Sequence, residues 1–396
     1  MRLHQWIAVA FVGFSFSATA QDDLINKVKD NGNASAKQGY TFETVVDLET
    51  TPVKNQGRSG TCWSYATTSF LESELIRMGK SPLDLSEMFT VRQVYVDKAE
   101  KYVRLHGNLN FAQGGALPDV FYVIKKYGAV PQEVYEGLDY GTDINNHSEL
   151  EAILAAQIEQ VIKNKNGQIA PNWKVAFAAT VDAYLGVYPA EFKYQGKTYT
   201  PRTFADDYLG VNPDDYVQLT SWTHQPMNEE VMIQVPDNWA WGTSYNVPLD
   251  EMIEAVNYGL NEGYTISWAT DVSEKGFSLK NGLAIVPAKD YSDMTTEERK
   301  AMFDGPIEEM EVSQEARQAA YDNYSTTDDH GMQITGMVKD QTGKVFYIVK
   351  NSWGERANDK RPGYIYASEA FLRYKTISVL MHKDALPKKL KKKFNL

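Results

Sequence analysis

One cysteine, Cys62, stands in Gly60-Thr-Cys62-Trp-Ser-Tyr-Ala66, shortly after Gln56. A thiol attacks carbonyl carbon as its thiolate, and an ordinary pKa near 8.5 leaves it mostly protonated at neutral pH. A helix N-terminus and an adjacent imidazolium can lower that value by several units. Cys62 opens a helical segment, and the best imidazole is His330, in Asp-Asp-His330-Gly-Met-Gln-Ile-Thr-Gly. Asn351, in Val-Lys-Asn351-Ser-Trp353-Gly, can hold the far ring nitrogen, and Trp353 can shield that bond. Fixing the imidazole tautomer this way is the third role in a nucleophile, base and orienter set. Gln56 can donate its side-chain amide to a tetrahedral oxyanion, beside the backbone N–H of Cys62. Removing one such donor typically costs about 10²–10³ in rate. The chemistry these residues permit is acyl transfer through a thioester. His106, His147, His224 and His382 have no comparable surroundings and read as surface or structural residues; His4 lies in an N-terminal leader. The Asp328-Asp329 pair before His330 reads as a solvated loop.

The elements that must position these groups follow from apolar spacing. From Cys62 to Met78, Trp63, Ala66 and Phe70 share one helical face, Leu71, Leu75 and Met78 an adjacent stripe, and Gly79 ends the pattern. Further helices are predicted over Val120–Tyr127, 148–164, Val175–Leu185 and 248–259. Tyr194-Gln-Gly-Lys-Thr-Tyr199 reads as a hairpin around Gln195-Gly196. Strand patterns follow at 264–268, 333–337, 345–349 and 364–366. Helices early and strands late predict an α+β protein with its cleft between two halves.

Bulk properties narrow the class. At 396 residues the chain can bury a large core. A formal charge of −12 argues against nucleic acid as the main partner, since phosphate binding favours a basic face. The lysines at 388, 389, 391, 392 and 393 cluster in the last residues, as a solvated tail or an arm with a use. Arg2, an apolar run from Trp6 to Phe16 and Ala18-Thr-Ala20 read as a removed export signal over residues 1–20. The run is too short to span a bilayer, and export implies a secreted, periplasmic setting. There a single cysteine can form no internal disulfide and is a liability unless used. No metal or cofactor is implied.

These segments resemble the papain family. The likeness runs through Gln56-Gly-Arg-Ser-Gly-Thr-Cys62-Trp63, Gly114-Gly115, His330-Gly331 and Asn351-Ser-Trp353-Gly354, in that order. His and Asn usually follow the cysteine of such enzymes by roughly 130–150 residues; here roughly 120 more intervene. Only about 35 residues separate the leader from Gln56, too few for a folded inhibitory pro-region. Both features look like the bleomycin hydrolase and aminopeptidase C branch. So do Gln113-Gly-Gly-Ala-Leu-Pro118, Ile124-Lys-Lys-Tyr-Gly-Ala-Val-Pro131 and Leu185-Gly-Val-Tyr-Pro189. The resemblance implies a papain-like two-lobed fold, a helical lobe and a β-barrel-like lobe, over residues 21–385. It also implies a helical insertion at about 80–260 and a hexameric homo-oligomer. Cys62, His330, Asn351 and Gln56 would be catalytic. Gly114 and Gly115 would line the cleft, unless they form a simple turn, and Trp353 would border it. A C-terminal arm, 386–396, would lie in the cleft with the Leu396 carboxylate meeting the free amine of a peptide substrate. The implied activity is that of an aminopeptidase; an endopeptidase of the same fold, or a catalytically silent binding or assembly protein, are the alternatives.

Overall fold

The computed structural model describes residues 24–25, 39–164, 167–355 and 361–396. The leader at 1–20 lies outside them.

The first half is helical. α1 (Cys62–Arg77) is buried on nearly every side, from Trp63 through Leu75, as a helix at the centre of a domain must be. Gly79, at φ +80, turns the chain beyond its end. α2 (Glu87–Arg104) starts where the Ser86 hydroxyl accepts from the Phe89 N–H. α3 (Asp119–Tyr127), α4 (Ser148–Ile162) and α5 (Asn172–Leu185) pack around these two. Each falls where the apolar spacing predicts a helix, except α2, which that spacing hides. Arg92, Asp97 and Lys98 are buried along it.

Strands carry much of the rest of the described residues: β1 (Phe42–Asp47), β2 (Phe192–Tyr194), β3 (Lys197–Tyr199), β4 (Tyr216–Thr220), β5 (Glu229–Met232), β6 (Thr243–Asn246), β7 (Ile266–Thr270), β8 (Phe277–Ser278), β9 (Leu283–Ala284), β10 (His330–Asp340), β11 (Val345–Lys350), β12 (Tyr364–Ser368) and β13 (Thr376–His382). The β2–β3 hairpin turns at Gln195-Gly196. Both turn residues have positive φ, +48 and +79, which matches a two-residue hairpin turn. The other strands form one mixed sheet in the order β5-β6-β4-β13-β7-β10-β11-β12-β9-β8, with β1 on β10. The fold is α+β. The sheet is open among the described residues, so the strand lobe is not the closed barrel that the family resemblance suggested. The region 80–260 is not helical throughout, because its β4–β6 extend this sheet beside β13.

Alternation along the strands separates two faces. On one, Ser267 and Gln333 hydrogen-bond Thr67, Ser69 and Ser73 of α1. On the other, Trp268, Val379 and Met332 pack under α6 (Leu249–Asn261). The lobes thus meet through a polar seam beneath α1. Lys350 extends it, donating to Ser69 at 2.7 Å and Thr51 at 3.2 Å.

The C-terminal residues belong to the second face. Lys388–Phe394 is a short helix with Leu386 and Leu390 buried in the core under α6. Phe394 stacks on Tyr245 of β6, its ring 4.4 Å away, and Leu396 packs against the same core. Lys389 and Lys393 bridge to Glu251 of α6, and Lys391 to Asp384.

Candidate active site

Cys62 is the first residue of α1. Thr61 before it provides no side-chain cap, and no acid occupies the first turn. The positive end of the helix is therefore left for the thiol. Cys62 is partly exposed, while Trp63 behind it is buried and anchors the turn. Trp63 Nε1 donates to the Gln113 carbonyl at 3.1 Å, and the Gly60 N–H to Gln113 Oε1 at 2.6 Å.

The opposing wall is the first turn of β10. His330 pairs with Thr270 of β7, which fixes where the imidazole emerges. Gly331 then passes close to α1: a Cβ there would lie 3.3 Å from the Cys62 carbonyl group and the Ala66 Cβ. Bare backbone at 331 lets the lobes close, and the Gly331 N–H reaches the thiol.

His330 Nε2 lies 2.8 Å from Asn351 Oδ1. The Ser352 N–H donates to that same oxygen at 2.7 Å, which identifies the atom as an acceptor. Nε2 must then carry the proton, and Nδ1, buried and without a hydrogen-bond partner, is the basic nitrogen. The Trp353 ring lies over the imidazole at 4.3 Å and packs on Phe277. At 2 % exposure it shields the pair.

Gln56 is fully buried and held at three points. Its Nε2 donates to the Ser59 carbonyl at 2.7 Å, its Oε1 accepts from the Ser352 hydroxyl at 2.7 Å, and its N–H donates to the Ser352 carbonyl at 2.8 Å. Ser352 thus ties the Gln56 amide to the Asn351–His330 pair. The motif contained this serine, but nothing in its spacing marked it as a link.

Burial pushes the Cys62 thiol up to about 12. Asp328 and Asp237 push the same way, against the N–H groups of Gly331 and Trp63. Burial pulls His330 down to about 4, against its Asn351 bond. At neutral pH the resting pair is a thiol and a neutral imidazole, not the ion pair expected from a helix N-terminus and imidazolium alone. The difference lies in the two nearby carboxylates and in the dry setting.

Gly114 and Gly115 are partly exposed beside this turn. A Cβ on Gly115 would meet the Trp63 ring at 2.7 Å. One on Gly114 would meet the Asp237 carboxylate at 1.9 Å. Asp237 was not among the residues singled out from sequence, and no local pattern marks it. Asp329 is no solvated residue: it accepts from the Val272 and Ser273 N–H groups at 2.8 and 3.2 Å. Asp328 has no hydrogen-bond partner and is partly exposed. Leu396 sits on the face of the sheet opposite α1, so the arm does not bring its carboxylate to Cys62. The reason is apolar burial: Leu390 and Phe394 lie one turn apart on the helix, Leu386 precedes it in extended backbone, and all three pack into the core under α6. Among the described residues no three His, Cys, Asp or Glu side chains are grouped to hold a metal, and no helix is long and apolar enough to cross a membrane.

A half-exposed thiol at a helix N-terminus, facing a strand that presents an Asn-held histidine, defines a thiol protease of the two-lobed kind. The chain belongs to the papain family of cysteine proteases, matching it over residues 42–279, and residues 188–396 match the peptidase C1-like family. It is a cysteine peptidase. It is 24% identical to "Aminopeptidase C" of Streptococcus thermophilus, over 93% of this chain and 88% of that protein. It is also 24% identical to "Cysteine proteinase 1, mitochondrial" of Saccharomyces cerevisiae, over 95% and 83%. The crystal structure of PepW from Lactobacillus rhamnosis HN001 shares the fold, with a TM-score of 0.70 and 19% identity over 95% of this chain and 90% of that one.

Proposed function

We propose that this chain is an exported thiol aminopeptidase acting on short peptides. The observation that carries the chemistry is the His330 tautomer, with Nε2–H held by Asn351 and Nδ1 left free. Nδ1 takes the thiol proton as Cys62 Sγ attacks the scissile carbonyl carbon. The resulting oxyanion receives the Cys62 N–H and the second Gln56 amide hydrogen, Ser59 holding the first. The imidazolium returns its proton to the departing amine, and a thioester remains. Water, deprotonated by His330, then releases the acyl group and restores the thiol.

Aminopeptidase action is supported by the relatives that carry that name over nearly their whole length. Comparing kcat/KM for a fluorogenic aminoacyl amide with its N-acetylated form tests it; preference for the blocked substrate refutes an aminopeptidase and leaves an endopeptidase. Cys62→Ala must abolish both reactions. The leader at 1–20 motivates the periplasmic assignment, tested by N-terminal sequencing of the exported protein. The hexamer rests on the family resemblance, and light scattering tests it.

A further inference from the structure

We infer that Asp237 and Asp328 form the recognition site for the α-ammonium of the substrate's first residue, the place the chain's own C-terminus does not fill. This rests on the aminopeptidase reading above and names the groups that would impose it. Three observations carry it. The Asp237 carboxylate closes over Gly114, on the cleft wall tied to Gly60 and Trp63 by Gln113. Asp328 lies two residues before His330 on the opposite wall, and among the described residues no hydrogen-bond donor reaches it. Both carboxylates lie near enough to Cys62 to disfavour its thiolate, and Asp237 near enough to Asp328 to raise it.

Two anions converging on a nucleophile hinder it, since each disfavours a thiolate. The neighbouring cations are committed elsewhere. The Lys98 ammonium tempers Asp237, but it donates to the carbonyls of Ala112 (2.9 Å) and Gly114. Asn110 donates to one Asp237 oxygen at 3.0 Å. Burial, with Asp237 and then Asp271 beside it, raises Asp328 to about 7. An entering ammonium reverses each of these penalties. It gives Asp328 the donor it lacks, and it cancels the negative field that opposes ionisation of Cys62. A free N-terminus would thus be selected and would also help to activate the sulfur that attacks one residue away.

The test uses Asp328→Asn, Asp237→Asn and the double variant of the full-length enzyme. Two rates are followed at pH 7: hydrolysis of free-amine and N-acetylated aminoacyl amides, and alkylation of Cys62 by neutral iodoacetamide. Losing a charge-assisted contact lowers kcat/KM for the free-amine substrate about 10- to 100-fold. The ratio of free to blocked substrate should collapse with it. Alkylation should become faster, because two charges opposing the thiolate are gone. A loosened fold would also expose the thiol and speed its alkylation, so the two rates are read beside the melting temperature of each variant. An unchanged substrate ratio in the variants, or alkylation falling together with hydrolysis, overturns the assignment. If the wild-type enzyme itself prefers the acetylated substrate, the aminopeptidase reading falls as well. Asp328→Asn is isosteric and relieves repulsion, so that variant should melt no lower than wild type, whereas Asp237→Asn takes a counter-charge from buried Lys98.

Discussion

Ser352→Ala isolates the link between the oxyanion amide and the catalytic base. The Ser352 hydroxyl is the donor to Gln56 Oε1, at 2.7 Å, and the two residues are 7 % and 0 % exposed. Removing it leaves a buried amide oxygen without a donor, a penalty of about 1–3 kcal/mol. The amide can meet that penalty by staying in place, which lowers stability, or by turning toward another donor, which withdraws its N–H from the oxyanion. The second route lowers kcat by about 5- to 150-fold for the same energy. Its ceiling is the roughly 10²–10³-fold loss from deleting an oxyanion donor outright, which Gln56→Ala measures. KM should change little, because the contact strengthens only in the tetrahedral state. Cys62 alkylation should stay at the wild-type rate, because the thiol does not need the oxyanion amide to ionise. The Ser352 backbone N–H that fixes Asn351 survives the substitution, so the imidazole keeps its tautomer. Steady-state kinetics, iodoacetamide labelling and a urea titration on one preparation decide the matter. A variant that loses stability with kcat intact refutes the linkage, and so does one whose alkylation slows in step with kcat.

Lys54 pairs with Glu72 at 3.1 Å and Glu87 at 2.6 Å, carboxylates that are 0% and 3% exposed. Lys54→Met should cost about 3–5 kcal/mol in urea unfolding, since it strands buried charge. Burial already raises Glu87 to about 7; without Lys54 the loss is smallest near pH 5 and grows as pH rises through that value. His147 is buried and pulled down to about 3 by that burial, with Tyr95 at 2.9 Å from its Nδ1. It supports the fold fully above pH 6.5 and progressively less as pH falls toward 3; His147→Gln should flatten that acid limb of the stability curve, measured as a difference between the two proteins. Deleting Asn395 and Leu396 should leave the free-amine preference unchanged, whereas deleting 387–396 exposes the pocket of Leu390 and should lower the melting temperature.

What was legible in the sequence was local. Cys62 could be placed at a helix start because Trp63, Ala66 and Phe70 keep helical spacing. Gln195-Gly196 could be placed in a tight turn because both positions tolerate positive φ. α2 escaped because it buries Arg92, Asp97 and Lys98, and burial of charge depends on partners remote in sequence: Asp182 for Arg92, Tyr122, Lys126 and Tyr127 for Asp97. β4 to β6 escaped for a related reason. Their edges gain meaning only when β13, over a hundred residues later, pairs with β4. The order of Gln56, Cys62, His330 and Asn351 pointed to a candidate site, yet the sign of its electrostatics was not in that order. The carboxylates that raise the thiol come from 237 and 328, one unmarked and one read as solvated.

The C-terminal segment shows how two readings of one charge pattern are separated. Five lysines in the last nine residues fit a mobile arm as well as a helix, because charge alone sets no period. Leu390 and Phe394 do set one, with Leu386 buried just before the helix, and Glu251 and Asp384 offer acids on the side the lysines face. Burying that stripe contributes roughly 1.5–3 kcal/mol per large apolar side chain, and an arm crossing to the cleft would forfeit it. A terminal carboxylate held this way cannot serve as counter-ion for a substrate's amine. On the aminopeptidase reading, selection of a free N-terminus falls to the cleft walls, whose carboxylates are Asp237, tempered by Lys98, and Asp328.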